Sequence, residues 1–135
     1  VPHAPQGRVR TLRLDLRRTP MMLTRPWVGV DGYRFRVRWG TVQVRVPADR
    51  PCLVEAYLPL LGGVSGLSTG SFWLHPAHPP HLEYSAPYHA WLPGQMGPPG
   101  TTRHTGQAAV VLVLVAVVLV LLGMIGLGVL LVVAG

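Results

Sequence analysis

The chain has 135 residues, a formal net charge of +7 and a mean hydropathy of +0.35. Its single cysteine excludes an intrachain disulfide, and its composition excludes a collagen-like or disulfide-rich chain. Residues 108–135 form one uncharged apolar block, so only about a hundred residues remain for a folded domain, which argues against a self-contained enzyme.

All twelve basic residues are arginine, and eleven of them precede residue 51. With three aspartates in the same stretch, residues 1–50 carry a formal +8 and the rest of the chain −1. A basic half suits nucleic acid, anionic lipid or plain solubility. The absence of lysine and asparagine, beside abundant Ala, Gly, Pro, Val and Leu, is the codon bias of a high-GC bacterial genome. An arginine here therefore says less about guanidinium-specific chemistry than it would elsewhere.

In chain order, residues 1–20 come first. Met21 and Met22 offer a rival start, so 1–20 is expected to be a doubtful or disordered lead-in, with the β-sandwich domain over 21–91. Period-2 alternation nonetheless begins at Leu12, Leu14 and Leu16, set between Arg13, Asp15 and Arg17, and residues 9–91 as a whole read as β. Val28 and Val30 lead into Asp31-Gly32, a dipeptide that favours a tight hairpin turn. Tyr33, Phe35, Val37 and Trp39 alternate with Arg34, Arg36 and Arg38, and Val42, Val44 and Val46 with Gln43 and Arg45. Pro47 to Pro51 reads as a turn, and Cys52, Val54, Ala56 and Leu58 resume the alternation. Gly62 to Gly70 reads as a loose loop, followed by short strands at Phe72 to Leu74 and His81 to Tyr84. Short strands with frequent turn signals predict a small β-sandwich whose core is Val and Leu plus Trp27, Tyr33, Phe35, Trp39 and Tyr57. Residues 92–107, LPGQMGPPGTTRHTGQ, are expected to form a flexible Pro/Gly-rich tether.

The span predicted over 108–134 has no charge and no proline. A bilayer core about 30 Å thick needs about 20 apolar residues in a helix. Its many valines would suit a strand in water, but in lipid each backbone group must be satisfied within the segment, which selects helix. Residues 1–30 lack the apolar run of a signal peptide, so the arrangement expected is that of a tail-anchored protein. The arginines precede the span, which places the β domain in the cytoplasm and the helix in a bacterial inner membrane by the positive-inside rule. Ala109, Ala116 and Gly123 recur every seven residues, with Gly126 on a nearby face, and form a candidate helix-packing surface for weak self-association.

Val30-Asp31-Gly32, then Val42-Gln43-Val44-Arg45-Val46-Pro47, then Leu53-Val54-Glu55-Ala56-Tyr57 resembles the PEGA-type small β-sandwich of bacterial surface and membrane proteins. With Leu82-Glu83-Tyr84-Ser85-Ala86-Pro87, the chain is also similar to small actinobacterial membrane proteins that carry a VDG turn, a VxVP strand and a later LEYxAP segment. The resemblance implies a fold and a single-span membrane setting, and no enzymatic role.

Arg34, Arg36, Arg38 and Arg45 are expected on the outer face of two neighbouring strands, as a solvated surface or a patch for anionic lipid headgroups. The chain has no recognised nucleic-acid motif, and no aromatic is expected to stack on these arginines, which argues against a nucleic-acid partner. His75, His78 and His81 have a spacing that, in an extended Pro-rich loop, sets them too far apart to share one ion. Cys52 falls on the inward phase of its strand and reads as a buried thiol. Trp73 and Trp91 suit the domain or a membrane interface, and the distance of Trp91 from the span favours the domain. No catalytic arrangement, close carboxylate pair, metal site or cofactor is predicted. The function expected is that of a non-enzymatic structural or interaction module, with the lipid bilayer and an unidentified protein as partners. The alternative is an envelope-facing binding domain of opposite topology, with sugar as a candidate ligand.

Overall fold

Inward leucines alternating with outward polar residues make strand β1 (Val9–Arg17): Leu12 and Leu14 are fully buried, while Arg13 and Arg17 are exposed. The computed structural model describes residues 7–20, 22, 24–59 and 66–135. Seven strands follow: β2 (Trp27–Val30), β3 (Tyr33–Arg36), β4 (Gly40–Pro47), β5 (Cys52–Pro59), β6 (Gly66–Leu74), β7 (His81–Ser85) and β8 (Gln95–Gly97). They form two four-stranded sheets, in the orders β4-β1-β7-β8 and β3-β2-β5-β6. Every pairing is antiparallel except β1 with β7. One core lies between the sheets. Leu12, Leu14, Val46, Leu82 and Tyr84 from the first meet Val28, Val54, Ala56 and Leu74 from the second. A mainly β unit of sandwich type followed by one C-terminal apolar helix is the fold class expected from the sequence.

The Asp31-Gly32 turn is as its residues require. Asp31 (φ 50°) and Gly32 (φ 84°) both take positive φ, the geometry of a two-residue I′ hairpin between Val30 and Tyr33. Asp31 also ties the turn to β5: its N–H donates to the Leu53 carbonyl and its carboxylate accepts the Leu53 N–H, both at 2.9 Å.

Four expectations change. Residues 1–20 are not wholly a lead-in: β1 is flanked on both sides, by β4 and by β7, and is an interior strand. Residues 1–6 and Met21 lie outside the described residues. Residues 66–70 of the expected Gly62–Gly70 loop belong to β6, and 60–65 lie outside the described residues. Residues 92–105 are not a loose tether: they contain β8, which pairs with β7, and the buried Thr102. Their prolines and glycines make ordered turns, with Thr101 N–H donating to the Pro98 carbonyl at 3.1 Å and Gly100 at φ 82°. Finally, the chain crosses between sheets after β3, so β3 and β4 are not neighbours in one sheet.

The β unit runs to Thr105, and a second unit begins at Gly106. Helix α1 (Gln107–Ala134) has 28 residues, a length of about 42 Å at 1.5 Å per residue. Its mean hydropathy reaches 3.3, and it is the one helix among the described residues long and apolar enough to cross a membrane.

Candidate functional site

The first candidate feature is α1 itself, charge-free and with no buried residue. Ala109, Ala116 and Gly123 lie on it with a drift of about 20° per seven residues, and Gly126 sits about 60° round from Gly123. They form one narrow strip with Gly126 at its margin.

The four arginines singled out are all exposed, and the structure divides them. Arg34 and Arg36 are on β3, the edge of one sheet, and Arg38 lies in the crossover that follows. Arg45 is on β4, the edge of the other sheet, opposite Thr11 of β1. The expected single face on two paired strands is thus not assembled. Charges along the short edge β3 instead suit a strand that must not pair with another chain. The Arg34 guanidinium lies 5.4 Å from the centre of the Tyr57 ring, a stacking contact the sequence did not reveal.

The outer face of the β1 sheet carries two carboxylates in register, Asp15 on β1 and Glu83 on β7. Local patterns show no such pair, because the residues are 68 apart in sequence and meet only through the parallel β1–β7 ladder. Glu83 is 6% accessible and fully engaged. Its Oε1 accepts from Arg17 and from the Thr102 hydroxyl, each at 2.7 Å, and its Oε2 from the Gly100 N–H at 2.6 Å. Ser85 completes the cluster at 2.7 Å from the Thr102 hydroxyl. Burial alone would raise the Glu83 carboxyl, but Gly100, Thr102 and Arg17 outweigh it and hold the group below its ordinary range. Asp15 follows the same pattern: burial opposes ionisation, while His81 at 2.7 Å, Thr41 at 2.8 Å and Arg13 at 3.4 Å overcome it and lower the carboxyl. Each carboxylate is thus kept ionised by its own set of partners.

The histidines occupy a turn rather than an extended loop. Arg10 reaches across from β1 and donates to the carbonyls of His75 (2.8 Å), Pro76 (3.2 Å) and His78 (2.7 Å). The His75 and His78 rings meet edge to face at 5.2 Å, while His81 turns to Asp15. Among the described residues no group of three or more His, Cys, Asp or Glu is placed to hold a metal ion. Cys52 is fully buried, and burial followed by the charge of Asp31 pushes its thiol up, away from thiolate chemistry.

Tyr84, fully buried, joins the sheets to the segment before α1. Its hydroxyl donates to the Ser68 carbonyl at 2.6 Å, its ring stacks on Trp39 at 6.5 Å, and burial pushes its phenol up. Gly94 must be glycine: a Cβ there would lie 2.5 Å from the Tyr84 ring and 2.6 Å from the Ser68 carbonyl. The LEYSAP segment is therefore a structural keystone, with Leu82 and Tyr84 facing the core and Glu83 and Ser85 facing the 100–102 turn.

No protein-family model, no curated protein and no solved structure matches the chain.

Proposed function

We propose that the chain is a single-span protein of a bacterial inner membrane whose cytoplasmic, PEGA-like β-sandwich serves as a non-enzymatic structural or interaction module. The observation that carries this reading is α1: 28 residues, free of charge, following directly on a folded β unit. Eleven of the twelve arginines lie within the first fifty residues, and Arg103 lies four before the helix, which supports the cytoplasmic side. The non-enzymatic part draws on the polar chemistry. Glu83, Asp15 and Arg10 are committed to holding strands and turns together, and the Cys52 thiol is shut in the core.

Protease treatment of spheroplasts tests the topology, and alkaline carbonate extraction tests the anchor. A β unit that survives external protease and a chain that stays with the membrane pellet are expected. Digestion from outside would give the domain to the envelope face and favour a binding role there. Release by carbonate would remove α1 as the anchor.

A further inference from the structure

Trp91 is 73% accessible, more than Trp73 at 58%, and in sequence it lies 16 residues before α1. Within the β unit, the fold brings the Trp91 loop to Thr105, the unit's last residue. The Thr105 carbonyl accepts the Tyr88 N–H at 2.8 Å, and the Thr105 hydroxyl donates to the Pro93 carbonyl at 2.6 Å. Both ends of the 88–93 loop are thereby pinned to the residue that stands two before Gln107. Trp91 is two residues from Pro93, and Gln107 two from Thr105, each a step of about 7 Å of chain. Within the loop, Leu92 N–H donates to the His89 carbonyl at 3.0 Å and Trp91 N–H to His89 Nδ1 at 3.2 Å, which holds the turn that presents the indole.

The surroundings suit a lipid headgroup layer. Residues 86–107 contain no carboxylate, and their one arginine, Arg103, is exposed. Tryptophan and tyrosine prefer the membrane–water interface, where the ring is apolar and its polar edge stays wet. Arg34 and Arg36 on β3 and Arg45 on β4 lie at the sheet edges far from β8. β6 and β8 meet across the two sheets, β3 and β4 are the opposite edges of their own sheets, and the chain runs toward Thr105 beside β8. Three strand spacings, about 14 Å, separate β4 from β8.

We propose that the 88–93 loop is a membrane-docking surface: Trp91, with Tyr88 and Leu92 beside it, seats in the headgroup layer of the bilayer that α1 crosses, and Arg103 meets lipid phosphate. This rests on the reading of α1 as a span. The test uses the full chain reconstituted in phosphatidylcholine–phosphatidylglycerol vesicles with lipid brominated high on the acyl chain. Tryptophan emission of the wild type is expected to contain a bromolipid-quenched component that W91F and W91Y lose and W73F retains. The fourfold Arg34, Arg36, Arg38 and Arg45 change to Gln also retains it. The urea midpoint of W91F is expected to match the wild type, since the side chain is exposed. A quenched component that is absent, that survives both Trp91 variants, or that W73F removes, in a chain that resists carbonate extraction, overturns the docking loop and leaves the span standing. Extraction by carbonate overturns both.

Discussion

Glu83→Gln removes one charge and keeps the shape, so its effect follows from the hydrogen bonds alone. The carboxylate serves three close donors, with Arg17 and Thr102 at Oε1 and Gly100 at Oε2, and the Ser85 hydroxyl stands 3.5 Å from Oε1. An amide has one oxygen. Set at the Oε1 position, it keeps Arg17 and Thr102 and turns its NH2 against the Gly100 N–H. Flipped, it keeps Gly100 and turns its NH2 against Arg17. Either way a donor faces a donor in a buried place, at a cost of about 1–3 kcal/mol, and the surviving bonds lose their charge assistance, for about 1 kcal/mol more. The expected loss is about 2–4 kcal/mol, read at pH 7 from urea unfolding of the full chain in detergent, followed by tryptophan emission. The pH dependence has a definite sign. The folded carboxyl lies below its ordinary value of 4.5, so its stabilisation is fully present above that value and is lost as pH falls through the folded one. Wild type and variant therefore converge under acid conditions. A difference below about 0.5 kcal/mol at pH 7, within the range of ordinary surface changes, or one as large at about pH 3 as at pH 7, would refute the role given to Glu83.

Gly94→Ala drives a methyl to 2.5 Å from the Tyr84 ring and is expected to cost at least about 2 kcal/mol, while Gly128→Ala, with nothing within 4 Å, leaves the urea midpoint of the β unit unchanged. A chain begun at Met22 lacks β1, which lies between β4 and β7, and is expected to lose near-ultraviolet circular dichroism and resistance to limited proteolysis. Truncation after Gly106 keeps every strand and is expected to give a folded β unit that stays in the supernatant; pelleting with membranes after a high-salt wash would contradict α1 as the main anchor. Changing Arg34, Arg36, Arg38 and Arg45 together to Gln is expected to shift stability by less than about 1 kcal/mol in the same urea assay, because all four are exposed.

What was legible in the residues was what local chemistry decides. The Asp31-Gly32 hairpin, the buried phase of Cys52, Val54 and Ala56, and the apolar helix each follow from neighbours within a few residues, and each stands in the structure. Misreadings came where distant residues decide. Residues 1–20 carry two competing local signals, a rival start at Met21 and Met22 and the inward leucines of β1, while the parallel ladder to β7 that makes β1 interior joins residues 68 apart. The alternation of Arg34, Arg36 and Arg38 correctly showed exposure, but not that the chain changes sheets before Arg45. Prolines and glycines over 92–107 mark turns equally well in an ordered segment and a loose one. Here the deciding group is Glu83, which reaches the Gly100 N–H and the Thr102 hydroxyl from β7 and fixes a segment whose own composition gives no reason for order. A buried carboxylate needs donors and a turn offers unpaired N–H groups, so Glu83 and the 100–102 turn satisfy one another across 17 residues of chain, a match that no local pattern displays.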